Sequence, residues 1–105
     1  MGMFDTVVSD DGRSAQVKCF GSFMEVFEIG SRVDLVPVKR LETDVLPSSL
    51  PESYQVAVND GTFITVLSGE IVAWDSSNNP ELMTVDNYGQ PWSGDPRDGA
   101  YAEPS

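Results

Sequence analysis

Covalent chemistry in this chain would have to begin at Cys19, its one cysteine, set in the stretch QVKCFGSFMEV over residues 16–26. A reactive thiolate needs a base or a cationic neighbour to draw off its proton. The chain contains no histidine, so neither a Cys-His nor a Ser-His-Asp constellation can be assembled. A lone cysteine forms no internal disulfide and no zinc knuckle, and the sequence has no phosphate-binding P-loop and no G-x-G-x-x-G. Cys19 therefore reads as a small core residue.

Carboxylates are the other candidates. Asp75, Ser77, Asn79 and Asp86 fall at positions 1, 3, 5 and 12 of a calcium-loop register, but Pro80 stands where that loop needs glycine and Asp86 is shorter than the usual bidentate glutamate. Glu25 with Glu28, and Asp95 with Asp98, are close in sequence, yet nothing local places either pair in a cleft. No metal, no cofactor and no catalytic residue is expected. A β barrel can still enclose a ligand cavity without any motif, which keeps a small-molecule binder open.

The elements that must position these residues are strands. Gly21-Ser22 suits a two-residue hairpin turn, which would set Cys19 opposite Met24, Lys18 opposite Glu25 and Val17 opposite Val26. Gly30-Ser31 would return the chain again, with Val26 facing Leu35 and Glu28 facing Val33, completing a meander. Residues 37–53 hold three prolines and read as a connection, its Lys39-Arg40 pair solvated. Beyond it, SYQVAV, TFITVL and EIVAWD are divided by Asp60-Gly61 and Ser68-Gly69. Two-residue turns there set Val58 against Phe63, Phe63 against Trp74, and Ala57 in line with Ile64 and Ala73. The middle strand is apolar on both faces and should be central.

Two three-stranded meanders plus an N-terminal strand in FDTVV predict an all-β fold, a small sandwich or partly open barrel, over residues 1–75. Residues 76–105 turn rich in proline and glycine and form an irregular acidic extension. Tyr88, Trp92 and Tyr101 stand in it among Asp95 and Asp98. These five either fold back over a sheet edge or bind a partner.

Seventeen acidic residues against six basic ones give a net charge of -11. Such a field repels nucleic acid and anionic lipid and attracts basic partners. No run is apolar over the roughly 20 residues a spanning helix needs, and no export signal is evident, so a cytosolic setting is expected. The opening MGMFDT also matches a short N-myristoylation pattern at Gly2.

The opening MGMFDTVV and the following QVKCFGSFMEVFEIG resemble the start of small bacteriophage proteins, particularly those of actinobacteria, over about the first third of the chain. Some similar sequences carry a paired-cysteine knuckle where this chain has SDDGRSA, so no zinc role carries over. The resemblance implies expression in the host bacterial cytoplasm. The expectation is a non-enzymatic accessory protein that binds and modulates a host protein with a basic surface. A DNA mimic acting on a host nuclease and a virion or assembly component are the alternatives.

Overall fold

The computed structural model describes residues 3–38 and 50–103. Alternation of apolar and polar side chains sets each strand's buried face. In β1 (Asp5–Val8) and β2 (Ser14–Val17), Val7, Ala15 and Val17 point inward while Thr6 and Gln16 lie opposite each other on the outer face. β3 (Val26–Glu28) runs parallel to β1, with Phe27 beside Val7, and packs Phe27 against the core.

The clear second-half pattern gives β4 (Tyr54–Ala57), β5 (Phe63–Leu67) and β6 (Glu70–Asp75) as an antiparallel meander. The segment after residue 76 adds β7 (Met83–Val85), parallel to β4, and β8 (Tyr101–Glu103), antiparallel to β2. The two four-stranded sheets, ordered β3-β1-β2-β8 and β6-β5-β4-β7, pack as an all-β sandwich that does not close into a barrel. Their shared core includes Val7, Val17, Cys19, Tyr54, Val56, Ile64, Val66, Ile71 and Trp74.

The first meander is not formed. β2 ends at Val17 and pairs with β1 and β8, so the Gly21-Ser22 hairpin and its pairings of Cys19 with Met24, Lys18 with Glu25 and Val17 with Val26 are corrected. The expected facing of Val26 with Leu35 and of Glu28 with Val33 fails as well. Residues 30–31 instead lie along β6, where the Gly30 amide donates to the Ile71 carbonyl and the Ile71 amide to the Ser31 carbonyl.

The β4-β5 register is shifted by one residue throughout, and the β5-β6 register keeps the expected pairs Leu67-Glu70 and Val66-Ile71 before shifting by one residue. The Val58 amide bonds the Thr62 carbonyl across a three-residue loop, in which Gly61, at φ 88°, takes the left-handed position. Ala57 therefore faces Phe63 and Val56 faces Ile64. The Ser68-Gly69 turn does have two residues, but a bulge between Thr65 and Val66 places Ile64 against Trp74 and Phe63 against Asp75.

The segment from residue 76 covers the outer face of β4, whose four residues are all buried, whereas β5, the strand expected to be buried on both faces, leaves Thr65 half-buried and Leu67 exposed on its outer face. Gln55, outward on β4 yet 2% exposed, donates to Thr65 Oγ1 and the Ser77 carbonyl and accepts from Asn78 Nδ2 and the Asn79 amide. Those four bonds satisfy a buried amide completely. Further along, Gly99 lies so close to β4 that an added Cβ would stand 2.7 Å from the Ala57 carbonyl oxygen. For the connection over residues 37–53, positions 39–49, including Lys39 and Arg40, lie outside the described residues, as does Gly2.

Candidate binding surface

Asp5 begins β1 and is fully buried. A buried carboxylate is tolerable only where donors replace its water, and the loop after β2 supplies them. Asp5 Oδ2 accepts from the Ser22 amide at 2.9 Å, and Oδ1 accepts from the amides of Phe23 and Glu25 at 2.9 and 3.0 Å. Turning three amides toward one anion forces the chain into left-handed conformations at Gly21, Ser22 and Met24, with φ 101°, 57° and 60°. A hairpin cannot present those amides in one direction, so the carboxylate decides the conformation of the loop.

The outcome is an apolar tip facing water. Phe23 is 72% exposed and Met24 64%. The Phe23 ring rests on the Gly21 backbone, where an added Cβ would come within 2.6 Å of it. Because β1 and β3 run parallel, Met3, just before β1, emerges at the same end of the sheet as Phe23 and Met24. Met3 and Val26, on the same sheet, are also exposed.

A groove of about 260 Å³ flanks the tip, lined by Phe20, Phe23, Phe27, Val33 and Val36, with Glu25, Asp34 and Arg32 at its rim. Phe20 and Phe27 meet edge to face at 5.9 Å. Among the described residues that line the groove, the carboxylates Glu25 and Asp34 outnumber the one cation, Arg32.

The five residues of the acidic extension do not form one surface: three share a turn, and Tyr88 and Tyr101 lie elsewhere. The Trp92 ring lies edge-on to Phe63 at 5.5 Å and its Nε1 donates to the Asp95 carbonyl. Asp95 caps the single-turn helix Pro96–Asp98 by accepting from the Arg97 amide, and it pairs with the Arg97 guanidinium at 2.7 Å. Those bonds hold its carboxyl below the ordinary range. Asp98 accepts from Ser93 Oγ at 2.6 Å.

Trp92, Asp95 and Asp98 are thus gathered in one turn against the outer side of the β4-β5 sheet. Tyr101 is exposed on β8, in the other sheet, and Tyr88 lies under Lys18, whose Nζ is 5.7 Å from the ring centroid. Of the calcium-register carboxylates, Asp75 caps its own turn through the Ser77 amide, and Asp86 is buried, accepting from the amides of Tyr88 and Gln90. Cys19 is fully buried, and burial, reinforced by the charges of Asp86 and Asp5, pushes its thiol far above the ordinary value. A thiol so placed supplies no nucleophile near neutral pH.

The hairpin expected from sequence sets Met24 opposite Cys19 and Val26 opposite Val17, whereas both side chains, with Phe23, are exposed. The signal for their exposure is Asp5, which lies 17 residues before Ser22 and is invisible to any local pattern. No family model, curated protein or solved structure matches the chain.

Proposed function

We propose that this protein is a non-enzymatic acidic accessory protein of a bacteriophage, acting in the host cytoplasm by binding a host protein with a basic surface and modulating it. The observation that carries the reading is the apolar tip, Phe23 and Met24, locked outward by the Asp5 carboxylate. Left-handed backbone at a residue other than glycine costs free energy that exposed side chains do not return. Contiguous exposed apolar residues with a polar rim are the anatomy of a protein interface. Glu25 and Asp34 beside the tip, within a chain of net charge -11, favour a cationic partner and speed encounter with it.

The experiment is affinity capture from a host lysate, followed by reconstitution with the purified partner, comparing wild type with the double variant Phe23→Ser, Met24→Ser. The reading expects the double variant to lose binding with its melting temperature unchanged, and wild-type association to slow as salt rises. Binding that survives the double variant, or is indifferent to salt, overturns it. Nuclease inhibition without dependence on Phe23 or Met24 would support the DNA-mimic alternative, and presence in purified particles the virion alternative.

A further inference from the structure

A second cleft, of about 650 Å³, opens beside the segment Arg32–Leu35 and is walled by Val33, Leu35, Leu50 and Pro51. This size falls within the range of small-molecule sites. The Ser68-Gly69 turn closes one side, tied to the segment by the Val33 amide donating to the Gly69 carbonyl at 2.8 Å.

Tyr54 completes the wall. The residue is 1% exposed, and its hydroxyl is buried with no hydrogen-bond partner among the described residues. Such a hydroxyl has given up water without replacement, which native interiors rarely allow. Burial, with lesser contributions from Cys19 and Asp34, pushes the phenol's pKa up, so it stays protonated and can donate.

The charges at the mouth are unequal. Arg32 is partly engaged, donating from Nη2 to the Ser68 carbonyl, while the side chains of Asp34 and Glu52 make no hydrogen bond or ion pair among the described residues. A cation entering the cleft gains both carboxylates and the negative field of the whole chain.

We propose that this cleft binds a small organic cation with an apolar body and a hydrogen-bond acceptor, the cation facing Asp34 and Glu52 and the acceptor taking the Tyr54 hydroxyl. The cleft shares Arg32, Val33 and Asp34 with the groove beside Phe23 and Met24, but the proposal rests on Tyr54 and Glu52 as well and does not require that surface to bind a partner.

Three probes built on the same phenyl ring separate its parts. Phenylalaninamide carries cation, ring and acceptor; phenethylamine lacks the acceptor; N-acetylphenylalanine replaces the cation with an anion. Each is titrated into labelled protein while the amide resonances of Val33, Leu35 and Gly69 are followed. The expected order is phenylalaninamide first, phenethylamine about fivefold weaker for want of one neutral hydrogen bond, and N-acetylphenylalanine weakest.

In Tyr54→Phe the two amines should bind equally, and in Asp34→Asn the preference for cation over anion should shrink. Asp34 is exposed, so this second variant keeps the test available if Tyr54→Phe does not fold. Shifts mapping elsewhere, no shift with any probe at millimolar concentration, or variants that leave the order unchanged would overturn the proposal. A water molecule would then be the hydroxyl's partner.

Discussion

Trp92 stands edge-on to Phe63, with ring centroids 5.5 Å apart and planes at 79°. Phe63 faces away from the intersheet core, so without Trp92 it would expose its ring to water. Replacing Trp92 with alanine should lower stability by about 2 kcal/mol, less than a fully buried tryptophan because the ring is only half-buried. Chemical denaturation of the isolated protein measures this. A variant as stable as wild type would show that the contact covers nothing of value.

Asp5→Ala leaves three amides, those of Ser22, Phe23 and Glu25, without their anion. The expected loss is about 3 kcal/mol, from charge-assisted hydrogen bonds and stranded donors. Asp5→Asn keeps an oxygen able to take the Phe23 and Glu25 bonds and should lose less. Hydrogen exchange should show the three amides opening faster in both variants. Unaltered protection would mean that the loop holds its shape without the carboxylate.

Cys19 should be unreactive toward thiol reagents in the native protein and fully reactive on unfolding, because burial disfavours its thiolate. Cys19→Ala should cost about 1–2 kcal/mol as the loss of a small buried group. Fast native labelling, checked by mass spectrometry, would contradict its burial.

Asp95 is held below its ordinary value of 3.8 by hydrogen bonds from the Arg97 side chain and amide. A carboxyl depressed in the folded state contributes stability that is present above its unfolded pKa and is lost as pH falls through the folded one. The cap on Pro96–Asp98 should therefore hold from neutral pH to about pH 4 and loosen only in stronger acid. The Arg97 amide resonance should follow that titration in wild type and lose it in Asp95→Asn. A transition near or above pH 5 would contradict the ion pair.

The second-half meander was legible because its turn residues are local: Asp60-Gly61 and Ser68-Gly69 mark the strand ends wherever the strands later pack. Its register was not, since the Gly61 loop and the Thr65/Val66 bulge each add a residue that no alternation pattern reveals. The first half misled for a different reason. Gly21-Ser22 has the chemistry of a hairpin turn, but the buried charge of Asp5 outweighs it, and the parallel β1-β3 pairing joins residues 20 apart. The same long-range bond hid the apolar tip, since Met24 and Val26 fit a buried face until the loop is turned outward. Cys19 is inside as expected, although it lies two residues beyond the end of β2 and the hairpin that would have placed it there is not formed.

Gln16 on β2 pairs with Tyr101 on β8, and Tyr54 on β4 with Met83 on β7. During synthesis the first sheet therefore waits on the ribosome for a strand made after all the others, with β2 holding an open edge throughout. Assembly must be late and close to all-or-none, and slow for a domain of this size because its pairings span so much of the chain. A bulky group placed beside Glu103 would press on the strand that completes the first sheet, whereas one placed beside Met3 would crowd the apolar tip instead.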